Sequence, residues 1–191
     1  MSNPAGLDAA GPAAALNWIR SRPGTFAGGV VFGLARIALG VLWLHEGWFK
    51  YKAHFGRSDI LLVVSSVDSN SRVDPHFRAF VDFALHDWPG LFGFVVPLLE
   101  LALGVALILG VLTLPAAAVS LLNLMNYWSA DQLIAQYPII GVLSVVVVAF
   151  AGYATLFSVT SLTVCLAERG RGSRIARLAT WPSDGPLRRW L

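Results

Sequence analysis

The chain has 191 residues, of which 56% are hydrophobic and only 13% charged, and its mean hydropathy is +0.65. Soluble globular domains carry about a quarter charged residues, so this composition excludes that class. The formal net charge of +3 comes from arginines gathered in the tails. A basic groove with interleaved aromatics is missing, so no nucleic-acid partner is expected.

A spanning helix needs roughly 20 apolar residues, and four stretches qualify, at about 26–45, 91–111, 112–128 and 138–157. None alternates in polarity as a transmembrane strand would. The expected fold is an all-α membrane protein, a four-transmembrane-helix bundle with an extracytoplasmic amphipathic helix in the first loop. Residues 1–25 read as a cytoplasmic N-terminal tail, 26–166 as the membrane domain and 167–191 as a basic cytoplasmic C-terminal tail. The Ala-, Gly- and Pro-rich start has no apolar core before a cleavage site, so the first span is expected to serve as an uncleaved insertion signal.

In the first span Arg36 is the only charge between Phe26 and Leu44, and in the second Glu100 is the only one between Leu91 and Leu112. A lone charge at bilayer depth costs roughly 2.5–3.5 kcal/mol and faces the protein interior. Opposite signs on consecutive antiparallel helices predict a buried Arg36–Glu100 ion pair. Gly29, Gly33, Gly40 and Gly47 share a stripe with Arg36, and Gly93, Pro97 and Gly104 share one with Glu100. Small residues let helices approach closely, so these stripes are the expected contact faces.

The first loop, about 51–89, has a second half that reads as a helix. Asp74 is a good N-cap and Pro75 suits the first helical position. Phe77, Phe80, Val81, Ala84, Leu85 and Trp88 follow at helical spacing, with Arg78 and Asp82 as an i,i+4 pair on the other face. Two readings fit: an interfacial helix anchored by aromatics, or a lid over the bundle mouth. Earlier in the loop, Ile60–Val64 is too short to span and 65–71 reads as a polar turn.

The third span places Ser120, Asn123 and Tyr127 on one face, and the fourth carries Gly141, Ser144, Gly152 and Thr155. Arg36, Glu100 and Asn123 form the expected intramembrane polar core, while Ser144 and Thr155 are expected to serve packing. Orientation follows from arginine. Arg169, Arg171, Arg174, Arg177, Arg188 and Arg189 crowd the C-terminal tail, whereas the cations of the first loop are balanced by Asp59, Asp68, Asp74, Asp82 and Asp87. Both termini are therefore expected in the cytoplasm. Cys165 is the single cysteine, which excludes a dithiol relay within the chain. The histidines lack ligand spacing and no haem, flavin or iron–sulfur motif is present, so no metal and no covalently bound cofactor is expected.

Three segments resemble the DoxX family of bacterial four-helix membrane proteins: RIALGVLWLHEGWFK from Arg36, PLLELALGVALILGVLT from Pro97 and LLNLMNYWS from Leu121. The second is the most specific, a glutamate followed by glycines four and ten residues later. The family pattern falls on Arg36, Gly40, Gly47 and Lys50, on Glu100, Gly104 and Gly110, and on Asn123. The resemblance implies a multi-pass protein of the bacterial inner (plasma) membrane. Some relatives resemble subunits of thiosulfate:quinone oxidoreductase, and others accessory proteins of redox or detoxification complexes.

Three functions are consistent with these residues. In a quinone-linked redox subunit, with quinone as substrate, His45 and Glu46 handle protons at the outer mouth. Lys50 attracts an anionic donor, and Trp43, Trp88, Tyr127 and Trp128 form aromatic walls. The same tryptophans also fit an ordinary interfacial belt. A non-catalytic membrane anchor for a soluble or membrane redox partner would use the basic tail. A small anion transporter, ranked last, would switch the Arg36–Glu100 pair and needs a homo-oligomer to make room for a pathway.

Overall fold

The computed structural model describes residues 23–132 and 134–162, and these fold entirely as helices and turns. Cys165 and the arginine-rich tail lie outside the described residues. Helix α1 spans Pro23–Lys52, α2 Arg57–Ser69 and α3 Pro75–Phe80, which continues as a π-helical turn over Val81–His86. Then come α4 (Pro89–Leu109), α5 (Thr113–Ser129), α6 (Tyr137–Ala149) and α7 (Ala151–Ala154). Helices α1 and α4 are each long and apolar enough to cross a membrane, and α6 is a shorter apolar helix.

Helices α1 and α4 form the central pair. A Cβ on Gly40 would lie 2.9 Å from the Gly104 carbonyl oxygen, and one on Gly47 would lie 2.8 Å from the Leu101 nitrogen. Of the expected stripes, Gly29 instead faces Leu156 and Phe157, Gly93 faces the turn at Gly56, and a Cβ on Gly33 would meet nothing within 4 Å. Gly40, Gly47 and Gly104, with Pro97, make the backbone-to-backbone seam. They also fix the register: Gly40 sits level with 104–108 and Gly47 level with 97–101. Around the pair, Leu39, Trp43, Leu103, Leu107, Leu124, Tyr137 and Ile140 make one buried core joining α1, α4, α5 and α6.

Two features of the first loop differ from the sequence reading. The expected polar turn at 65–71 is helix as far as Ser69, because Ile60, Val64 and Val67 bury at helical spacing. The hydroxyls of Ser65 and Ser69 bond back to the carbonyls of Leu62 and Ser65, both at 3.0 Å. Arg78 does not pair with Asp82. It donates to the carbonyls of Asp68 (2.8 Å) and Asn70 (2.9 Å) at the end of α2, where helix carbonyls attract a cation. Asp74 does cap α3, accepting from the His76 amide at 2.8 Å with Pro75 following.

The loop segment packs on the bundle as a cap. Val64, Val67, Val73 and Val81 cluster with Ala130 at the end of α5. Asn70 donates to Asp131 at 2.7 Å, and Arg72 pairs with the same carboxylate. The cap's outer side carries Phe83, 77% exposed, and Trp88, 61% exposed.

Three helices end with a residue in the left-handed region. The amide after it bonds five residues back at each end: Phe55 to Lys50, Val111 to Ala106 and Gln132 to Tyr127. The left-handed residues are His54 (φ 56), Gly110 (φ 71) and Asp131 (φ 56). Glycine is the usual occupant of that position, so His54 and Asp131 carry a backbone cost for their side chains.

Candidate functional site

Arg36 and Glu100 do not pair. Glu100, fully buried, accepts at Oε1 from Lys50 Nζ at 2.6 Å and from the Tyr127 hydroxyl at 2.5 Å. Arg36, also buried, donates from Nη2 to the Phe157 carbonyl at 3.1 Å and lies against Gly110. The α1–α4 register explains the difference. It sets Arg36 level with Gly110 and Glu100 level with Glu46, and ten residues of helix put about 15 Å between those levels.

The buried cluster is assembled from three helices. From α1 come Glu46 and Lys50, one turn apart, with Glu46 Oε2 3.7 Å from Lys50 Nζ. From α4 comes Glu100, and from α5 comes Tyr127, whose hydroxyl also accepts from Lys50 at 3.2 Å. The Lys50 ammonium lies 5.0 Å from the centre of the Tyr127 ring. Tyr137, at the start of α6, stacks on Tyr127 with ring centres 5.1 Å apart. Two carboxylates thus face one ammonium, so the cluster reaches neutrality when one carboxyl carries a proton. Glu100 Oε2 and Asn123 Nδ2 are buried without a protein hydrogen-bond partner. A buried site normally uses such acceptor and donor capacity.

The remaining candidate residues are scattered. Trp43 is fully buried and donates to Ser120 Oγ at 2.6 Å. Ser120 meets Ser144 at 2.7 Å, and Ser144 donates to the Ile140 carbonyl, so this chain fixes α1, α5 and α6 together. Thr155 bonds back to Ala151 within its own turn. His45 is exposed whereas Glu46 is buried: consecutive helical residues point to different sides, and the two are not brought together. Trp88 and Trp128 are exposed on the outer surface. Tyr137 was not among the candidates, and its one sequence signal is a tyrosine just before Pro138 at the same end of the bundle as Tyr127. Among the described residues no cluster of His, Cys, Asp and Glu has metal-binding geometry.

A groove of about 520 Å³ lies at the same end of α1 as the cluster, between the end of α1, the turn leading to α2, and the first half of α4. Its walls include Tyr51, His54, Phe94, Leu98 and Leu101.

The DoxX family model matches residues 31–130, more than half of the chain. The chain belongs to the DoxX family. The match runs from α1 to the end of α5, so it contains the cap and Glu46, Lys50, Glu100 and Tyr127. Tyr137 and α6 lie beyond it. No curated protein and no solved structure matches the chain significantly. A DoxX family membrane protein agrees with the two long apolar helices.

Proposed function

We propose that this DoxX protein is the integral membrane subunit of a quinone-linked redox system of the thiosulfate:quinone oxidoreductase type. It crosses the bacterial inner membrane four times with both termini cytoplasmic. The observation that carries this reading is the buried Glu46–Lys50–Glu100–Tyr127 cluster. Reducing a quinone takes two electrons and two protons. The electrons come from a reduced sulfur donor such as thiosulfate, two anions of which join through a new sulfur–sulfur bond. The protons must be delivered to the quinone ring, and a cluster of two carboxyls, an ammonium and a phenol can hold and pass them. Proton handling falls to these four residues in preference to His45, whose ring points to the outer surface.

Tyr127→Phe removes only the phenol hydroxyl. We expect it to lower thiosulfate-dependent quinone reduction by the purified protein about 10²-fold or more, with helical content unchanged. Full activity in that variant, or no quinone reduction by the wild type together with any partner that co-purifies, overturns the reading in favour of an anchoring subunit.

A further inference from the structure

The groove at the end of α1 has a composition that selects its occupant. It is apolar along Phe94, Leu98 and Leu101, and its polar side chains are Tyr51 and His54. Among the described residues no Lys, Arg, Asp or Glu side chain lines it, so it has no fixed charge for a phosphate headgroup. What fits is an uncharged amphipathic molecule with hydrogen-bond acceptors on its head and an apolar tail. Its volume, about 520 Å³, falls within the usual range for small-molecule sites.

His54 supplies the second observation. It occupies the left-handed position that ends α1, where glycine costs least. At the equivalent end of α5, Asp131 is likewise left-handed, and its side chain ties down the cap. The His54 imidazole makes no hydrogen bond or ion pair with the described residues, yet it lines the groove. Strained backbone of this kind gathers at functional sites. In addition, Pro97 lacks the N–H that would have bonded the Gly93 carbonyl, and both residues line the groove. Tyr51 directly follows Lys50, so groove and buried cluster lie at the same end of α1.

We propose that the groove is the quinone site, with the head group between His54 and Tyr51 and the prenyl tail along Phe94, Leu98 and Leu101. Identifying the occupant as a quinone rests on the redox reading above; the location rests on the groove itself.

The test uses the full-length protein in detergent and a photoreactive azidoquinone. Labelling is expected on peptides containing Tyr51–Phe55 and Phe94–Leu101. His54→Gly should keep or raise the melting temperature, since glycine relieves the left-handed position, while weakening quinone binding about tenfold, the equivalent of about 1.4 kcal/mol. Gly90→Leu should abolish binding without disturbing the fold. Gly90 lines the groove, and a Cβ there meets nothing within 4 Å. Gly152→Leu, equally unobstructed but away from the groove, is the control. Unchanged binding in both groove variants, or labelling confined to the Tyr127 region, overturns the site and leaves the redox reading standing. So does a photoreactive phosphatidylcholine that labels the groove and is not displaced by quinone. Absence of quinone binding by the wild type overturns the redox reading itself.

Discussion

The Lys50–Glu100 pair should respond unequally to removal of its two members. Glu100 is fully buried, and its partners are Lys50 and Tyr127. Lys50 keeps 14% side-chain exposure and has Glu46 as a second carboxylate at 3.7 Å. Lys50→Met therefore strands a buried carboxylate with only the phenol for company, which should cost about 3–5 kcal/mol. Glu100→Gln leaves an amide oxygen still able to accept from Lys50 and Tyr127, and leaves Lys50 paired with Glu46. The loss there is closer to that of one charged hydrogen bond, about 1.5–3 kcal/mol. The double variant should recover part of the Lys50→Met loss, because no stranded charge remains. Reversible unfolding in mixed micelles, followed by circular dichroism, gives the free energies. A Glu100→Gln loss equal to or larger than the Lys50→Met loss, or strict additivity in the double variant, refutes the reasoning. Arg36→Gln belongs in the same series. It should add to Glu100→Gln within about 0.5 kcal/mol, since the two sites are separated.

Gly110→Ala should destabilise by at least about 1–2 kcal/mol for the left-handed backbone alone. More is expected because the new Cβ would clash with Arg36 Nη1; thermal melting of Gly110→Ala with and without Arg36→Ala separates the two contributions. Asp131 is held below the usual carboxylate range first by the Asn70 amide and then by Arg72, with burial opposing them. A depressed folded value means the cap tether is fully present above the unfolded value of about 3.9 and is lost as pH falls through the folded one. Hydrogen exchange of the cap amides, corrected for its intrinsic pH dependence, should accelerate on acidification, and in Asp131→Asn it should show no such step. In a Cys165→Ser background, an impermeant maleimide should label Ser69→Cys in whole cells and Ser183→Cys only after permeabilisation. Labelling of both from one side defeats the four-span arrangement.

The helices were legible because their signals are local. Apolar length located α1, α4 and α5, but the fourth span expected at 138–157 is divided at Phe150 into α6 and the short α7; Asp74 with Pro75 located the start of α3. Partner choice was not legible from charge alone. The expected Arg36–Glu100 pair assumed that mid-span positions lie at equal depth, whereas depth between two helices is set by register. The glycines held that information: laying Gly40 on Gly104 and Gly47 on 97–101 brings Glu100 beside Glu46 and within reach of Lys50. A long lysine stem lets an ammonium near the mouth reach a carboxylate below it. The serines of α2 hid a helix, because their polarity resembles a turn until the spacing of Ile60, Val64 and Val67 is weighed. The groove rests on a left-handed histidine, and nothing in the local sequence around His54 marks that backbone state.

The cap also carries a constraint on the order of synthesis. Its valines close on Ala130, and its tether is Asp131, yet both residues emerge from the ribosome long after 57–86. Until the end of α5 has been made, Val64, Val67, Val73 and Val81 lack Ala130, on which they close. The nascent segment must wait in a partly open state, held by the Arg78 contacts to Asp68 and Asn70 that it makes within itself. A chain arrested after α4 should therefore expose the cap to protease, and one extended through Asp131 should protect it. Maturation of this protein is thus timed by a residue far downstream of the segment it secures.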